Sequence, residues 1–433
     1  MQKSLIGGLL LWALAGACSA LEPREQAIVD AIDARRAQAL ALLRDTVEIN
    51  SGTLNLKGVR AVGARLEREF AALGMQTSWE EGAGFERAGH LVARAGSRGP
   101  RLLLIGHLDT VFPADGSFTD WEDLGDGRVR APGITDMKGG NVVILEALRA
   151  LQSVGVLDQL QVRVVLTGDE EDRGRPLSLA NRALVDAAQW ADVAIGFEDG
   201  DGDPATAVIA RRGSSSWTLR ATGRAAHSSQ IFREGYGYGA AFELARVLNG
   251  WREALADEAN LTFNPGLVMA GTEMETSEGE TRGSVAGKRN VIARQAVAAG
   301  GVRALSPEQL EASVALMREI VADSLPGTRS EFVLDEGYPP MPPTAANREL
   351  LALYSEASVA LGLGEVRAVD PRQAGAADVS FAAPYVDAAL DGIGMMGTGG
   401  HTVEESADLA TLTTQTQRAA LFLLRLAERY PAR

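Results

Sequence analysis

Seven side chains suited to metal or acid–base chemistry lie scattered along this 433-residue sequence: His107, Asp109, Asp136, Glu170, Glu171, Glu198 and His401. Histidine is scarce, with only His90, His107, His227 and His401 in the whole chain. Two imidazoles combined with aspartate and glutamate oxygens form a good ligand set for zinc. The set is too small for two closed tetrahedra, so two metals would have to share a carboxylate. A carboxylate left free of metal can serve as a general base. Singly, these residues say little. An acid after a strand is usually a turn or helix cap, and Glu170-Glu171 alone reads as a solvated loop.

Their positions on the chain join them. The apolar run Leu102-Leu103-Leu104-Ile105 stops at Gly106-His107, with Asp109 two residues on. A second run, 160–167, ends at Gly168-Asp169-Glu170-Glu171, and a third, 191–197, ends at Glu198. Short continuous apolar runs of this kind read as parallel strands buried on both faces. Ligands of such sheets collect at the carboxyl ends of the strands. Asp136 sits between Gly133 and Gly139-Gly140, and His401 follows Gly399-Gly400.

Helical spacing over 25–49, 58–73, 141–151, 347–361 and 409–428 alternates with these runs and with strands at 75–79 and 90–95. The fold class is therefore α/β, a mainly parallel sheet covered on both faces. After residue 210 the pattern changes. Ser215, Trp217, Leu219 and Ala221 alternate as in a half-buried antiparallel strand. Strand-like pieces at 266–273, 281–293, 295–302 and 329–334 follow, with helices at 236–255 and 307–324, the second capped by Ser306. The domains are read as a signal segment 1–20, catalytic part 21–210, an α+β insertion 211–335 and a second catalytic part 336–433. Pro339-Pro340-Met341-Pro342-Pro343 forms a stiff linker.

A formal charge of −15 argues against a nucleic-acid partner. Lys3 ahead of an apolar run 5–17 too short to span a bilayer reads as an export signal. Two outcomes stand open. Cleavage after Ala17 or Ala20 leaves a soluble periplasmic protein. Cleavage before Cys18, the only cysteine, leaves a lipoprotein attached to the membrane through a lipid on that residue, although Ala15 stands where a lipobox prefers leucine.

Six ordered stretches, GHLDTVFP, GITDMKGG, GDEED, the strand ending in Glu198, RAAHSS and GGHTVEE, resemble the di-zinc aminoacylase/carboxypeptidase metallopeptidase family. That family includes folate-cleaving glutamate carboxypeptidase, acetylornithine deacetylase and succinyl-diaminopimelate desuccinylase. The resemblance runs from about residue 47 to the C-terminus. It implies a zinc-peptidase catalytic domain with an inserted lid/dimerisation domain, hence a homodimer, and two Zn2+ per chain. Asp136 would bridge the metals, with His107 and Glu198 completing one site and Glu171 and His401 the other. Glu170 would be the general base, and Asp109 would accept the free ring N–H of His107, fixing its tautomer. His227 would stabilise the oxyanion across a dimer interface or after domain closure. Arg212 with Arg211, Asn290 and Arg303 would recognise a substrate carboxylate. His90 stands where the family often has asparagine and reads as structural. Gly300-Gly301 replaces the usual acid before Val302-Arg303, and Asp378 braces the site rather than reacting.

The expected activity is amide hydrolysis of small peptides or N-acyl amino acids, as a glutamate-carboxypeptidase-like exopeptidase or as an N-acyl amino acid deacylase. A non-catalytic envelope lipoprotein would be expected to have lost Glu170 or a ligand, and none is lost. A structural zinc protein would need clustered cysteines.

Overall fold

The computed structural model describes residues 21–277 and 281–429, so the export signal and Cys18 lie outside the described residues. Arg101–His107 is the middle of a six-stranded sheet. It is flanked in parallel by Gln161–Thr167 and Val193–Gly196. Ala388–Leu390 extends the parallel array beyond Val193–Gly196. On the other side Gly89–Ala95 and then Gln76–Glu81 add antiparallel neighbours. His107 pairs with Thr167, and Ile105 with Gly196, so the three runs expected to carry chemistry end along one edge.

Burial on both faces explains why these strands read as continuous apolar runs. Leu102 and Leu104 pack with Val162, Val164 and Ile195 in the larger core, which includes helices Gly139–Ser153 and Leu409–Arg429. Leu103 and Ile105 point the other way, with Val165, Ala194 and Leu184. Truncating one such leucine costs about 2–5 kcal/mol. Helix Gly139–Ser153 lies close against the strand ends because its first turn is glycine. A Cβ on Gly140 would stand 2.0 Å from the Phe197 carbonyl, immediately before Glu198.

The insertion carries a four-stranded antiparallel sheet in the order Thr262–Gly271, Gln295–Arg303, Ser214–Gly223, Thr328–Tyr338. Trp217, Leu219 and Ala221 turn inward together, as their alternation suggests, against Val247, Trp251 and Met317 of helices Gly239–Leu255 and Pro307–Ala322. Ser306 caps the second helix by accepting from the Gln309 N–H. The chain enters and leaves the insertion side by side, with Arg211 and Met341 exchanging two backbone hydrogen bonds of 2.9 Å. Met341 is fully buried, so the proline-rich stretch is a packed crossing.

Two expectations need correction. The single helix read over 25–49 is two, Pro23–Ala34 and Arg36–Val47, broken at Arg35. The guanidinium of Arg35, at the break, reaches the buried Glu146 carboxylate at 2.8 Å. The strand read over 281–293 is only Gly283–Ala286, paired in a hairpin with Glu273–Thr276. Gly287 and the polar run Lys288-Arg289-Asn290 interrupt it. Among the described residues no helix is long and apolar enough to cross a membrane.

Candidate metal centre

The first part of the site is formed by adjacent strand ends. His107, almost fully buried, directs Nε2 to Asp136 Oδ1 at 2.9 Å and to Glu198 Oε1 at 3.5 Å. Its other nitrogen, Nδ1, lies 3.0 Å from the Asp109 carbonyl and 3.4 Å from Asp109 Oδ1. The main-chain oxygen thus shares the orienting role expected of the Asp109 carboxylate. Gly106 makes room for this arrangement. Asn141 Nδ2 donates to the His107 carbonyl at 2.6 Å, and a Cβ at Gly106 would meet Asn141 Oδ1 at 2.3 Å.

The second part shares the same aspartate. His401 Nε2 is 2.9 Å from Asp136 Oδ2 and 3.1 Å from Glu171 Oε2. Each triad, His107–Asp136–Glu198 and Asp136–Glu171–His401, offers three ligand atoms within 4.8 Å of one another. His401 has a left-handed φ of 62° and an exposed side chain, on a loop between the short strands Gly397–Thr398 and Ser406–Asp408. Ser406–Asp408 pairs with Arg128–Arg130, which brings the C-terminal loop beside the Asp136 turn.

Several groups hold the ligands without joining them. Asp109 gathers the strand ends, accepting from Glu170 N–H at 3.0 Å, Glu171 N–H at 3.1 Å and the Thr53 hydroxyl at 2.6 Å. Glu405, fully buried, accepts from Gly133 N–H and Thr135 N–H at 2.9 Å, from the Thr135 hydroxyl at 3.2 Å and from Asp136 N–H at 3.3 Å. Asp391 accepts from Glu198 N–H at 3.3 Å and from Arg211 Nε at 2.8 Å. Arg211 is thereby committed to bracing Glu198. Arg173 joins Asp169 and Asp378, and Asp378 also accepts from the Thr167 hydroxyl, the bracing role expected of it.

Asp109, Asp136, Glu170, Glu171 and Glu198 place five carboxyl groups around two imidazoles. Burial opposes ionisation of Asp136, but His107 and His401 outweigh it and hold this carboxyl far below the usual range. Burial pushes Glu171 up to about 8, with the neighbouring carboxylates adding and His401 opposing. Glu198 is pushed well above its ordinary value by burial and by Asp136 and Glu170, and Glu170 is raised chiefly by burial. His401 is pushed up to about 11 by Asp136 and then Glu171. Burial disfavours the His107 cation, yet Glu198, Asp109 and Asp136 hold it well above its usual range. Glu171 Oε1 is also buried with no hydrogen-bond partner. A crowd of acids with an orphaned oxygen and two convergent imidazole nitrogens fits bound divalent cations.

The remaining expected residues lie apart from this cluster. His227 is exposed on the insertion. Its Nδ1 accepts from Ser229 N–H at 3.2 Å, which leaves Nε2–H directed elsewhere. Asn290 is its neighbour, accepting from Ser228 N–H at 2.8 Å through its carbonyl. The Arg212 guanidinium donates to the Pro371 carbonyl at 3.3 Å and the Thr262 hydroxyl at 2.9 Å, bridging the insertion and the catalytic part. Arg303 pairs with Thr262 across the strands, next to that bridge. His90 is structural, with Nε2 donating to the Ala180 carbonyl at 2.8 Å and Nδ1 accepting from Gly168 N–H at 3.1 Å. Arg173, Tyr338, Asp391 and Glu405 were not singled out from sequence. Only Glu405, four residues after His401, had a local cue.

Comparison with known proteins agrees with this geometry. Carboxypeptidase G2 of Pseudomonas sp. (strain RS-16) is 26% identical over 441 residues, covering 98% of both chains. A probable succinyl-diaminopimelate desuccinylase of Staphylococcus epidermidis is 35% identical over 147 residues, 32% of this chain and 34% of that one. The crystal structure of aminopeptidase PepT from Bacillus cereus superposes with a TM-score of 0.72 at 17% identity, over 90% of this chain and 99% of that one. Residues 103–425 match the family described as Peptidase family M20/M25/M40, and the chain belongs to that family of metal-dependent peptide and acyl-amino acid hydrolases.

Proposed function

We propose that this protein is a di-zinc carboxypeptidase that releases the C-terminal residue of small peptides, in the manner of a glutamate carboxypeptidase. The observation that carries the reading is the sharing of Asp136 between two histidine–carboxylate triads. The full-length match to carboxypeptidase G2 supports peptides over acyl groups as substrates. His107, Asp136 and Glu198 would hold one zinc, and Asp136, Glu171 and His401 the other. When bound, such a pair polarises the scissile carbonyl and eases deprotonation of the attacking water.

Glu170 takes the proton from that water and passes it to the leaving nitrogen. Burial of Glu170 suits this task, because it raises the carboxyl toward neutrality. Asp109 holds the main chain of Glu170 and Glu171 at the strand ends, so the base and a ligand keep a fixed relation. His227 offers Nε2–H to the developing oxyanion from a second protomer, or after the insertion closes. Its exposure on the insertion supports a homodimer. Asn290, beside it, would receive the free carboxylate of the substrate, whereas Arg212 and Arg303 lie at the opposite end of Gln295–Arg303, where Arg212 is engaged with Pro371 and Thr262. The apolar leader ending in small residues and Cys18 supports an exported, periplasmic protein, soluble or lipid-anchored.

The test is a release assay with added zinc over a panel of dipeptides and N-acyl amino acids, alongside metal analysis. Faster release from peptides supports the carboxypeptidase. Release only from acylated amino acids assigns a deacylase instead. No release by protein that holds two zincs would leave a binding lipoprotein. A reproducible metal content near zero in active protein would sink the mechanism.

A further inference from the structure

The last strand of the insertion, Thr328–Tyr338, does not end as a simple edge. Asp335 pairs with Ser216, but Tyr338 pairs with Ser214, so an extra residue is accommodated before the strand ends. Such a bulge bends a strand and re-aims the side chain that follows. Gly337 permits it, since a Cβ there would stand 1.9 Å from the Ser214 carbonyl. The result is that Tyr338, one residue before the Pro339-Pro340 crossing, faces the catalytic part.

Its hydroxyl donates to the Glu170 carbonyl at 2.7 Å and accepts from Arg173 Nη2 at 3.1 Å. Its ring packs on Phe381 with centroids 4.8 Å apart. Arg173 in turn is paired with Asp169 of the same loop and with Asp378, which precedes Val379–Ala382. A second strap lies alongside, with Arg175 Nη1 donating to the Glu336 carbonyl at 3.0 Å. The loop that presents Glu170 is thus held from one side by Asp109 and from the other by a residue of the insertion.

We propose that Tyr338 is a positioning residue for Glu170: the bulge at residues 335–338 presents its hydroxyl to the Glu170 main chain and so ties the aim of the base to the seating of the insertion. The Tyr338 hydroxyl bonds the Glu170 carbonyl and Arg173 and none of the expected ligand atoms. It acts by fixing where the Glu170 carboxylate begins. The proposal rests on the reading of Glu170 as base. Proton transfer is sensitive to such placement, and a displacement of about 1 Å can cost on the order of 10²-fold in rate.

The test is Tyr338→Phe, which keeps the ring on Phe381 and removes only the hydroxyl. The expected result is a fall in kcat of roughly tenfold, the equivalent of one buried hydrogen bond, with KM and metal content unchanged. Replacement of Tyr338 by 3-fluorotyrosine, which retains the hydroxyl, should restore most of the rate. An unaltered kcat in the phenylalanine variant overturns the proposal, as does a loss that follows loss of metal or appears in KM alone. If the phenylalanine variant does not fold, a fluorotyrosine protein with kcat reduced tenfold overturns it equally, because its hydroxyl is intact. Glu170→Gln separates the two claims. Wild-type turnover in that variant refutes the base assignment whatever Tyr338→Phe does.

Discussion

Glu405→Gln is the sharpest test of how the site is held together. Both carboxylate oxygens of Glu405 face donors: Gly133 N–H on one side, and Thr135 N–H, the Thr135 hydroxyl and Asp136 N–H on the other. Glutamine is the same shape but turns one oxygen into a donor. If the new amide faces Gly133, two donors meet and both lose their partner. If it faces Thr135, only the hydroxyl can rotate to accept, and the N–H groups of Thr135 and Asp136 are stranded. A buried donor left unpaired costs about 1–3 kcal/mol, so the better orientation should destabilise the protein by about 2 kcal/mol or more. The same change frees the backbone of the one carboxylate common to both triads. Metal affinity should therefore fall about 10–100-fold, and at both sites together. Urea unfolding of the metal-free protein above pH 8, where Glu405 is ionised although burial pushes it up to about 7, measures the first effect, and calorimetric titration with zinc measures the second. A stability within about 0.5 kcal/mol of wild type, the range of neutral surface changes, would refute the clamp, and so would weakening of a single site.

His401→Ala removes a ligand of one triad only, so the zinc stoichiometry in the same titration should drop from two per chain to one. Metal uptake should release protons, and affinity should rise with pH through 8 and beyond, because a ligating imidazole must be neutral and Asp136 and Glu171 push His401 up to about 11. Burial holds Glu171 at about 8, so below that pH the cation must displace its proton. Titration in two buffers of different ionisation enthalpy measures the number released, and zero release at pH 6 would contradict it. Glu170→Ala should abolish turnover with both metals retained, read by metal analysis of the inactive protein. His227→Ala should lower kcat by about 10²–10³ with little effect on KM, and equal loss in both would mark the histidine as structural.

The parts of this site that were legible in the sequence are those written locally. The apolar runs had to be buried on both faces, which forced a parallel sheet, and a parallel sheet aligns its carboxyl ends. That argument places His107, Glu170, Glu171 and Glu198 along one edge, because each stands at or just past the point where such a run stops, while which of them ligate and which is the base is what the family resemblance implies. Helix caps such as Ser306 were legible for the same reason, since donor and acceptor lie three residues apart. Arg35 shows where local reasoning fails. The periodicity through it is helical, yet the helix breaks there, and its guanidinium pairs with a buried Glu146 more than a hundred residues away that nothing local announces.

The groups that aim the ligands belong to this second kind. Glu405 reaches Thr135 from 270 positions away, Asp391 reaches Glu198 from 193, and Tyr338 reaches Glu170 from 168. Apart from Glu405, which follows His401 closely, nothing in the composition or spacing around these residues distinguishes them from turn acids or an ordinary strand tyrosine. Their partners are mostly backbone N–H and C=O groups, which carry no residue identity at all. The division has a physical basis. A ligand must be a particular residue type at a strand end, so the local sequence marks it. A brace need only bring one donor or acceptor to a free backbone group, and the fold alone decides which residue arrives there. The variants that separate ligands from braces should therefore differ in kind, with ligand loss changing the number of metals bound and brace loss changing their affinity or the rate at a constant number.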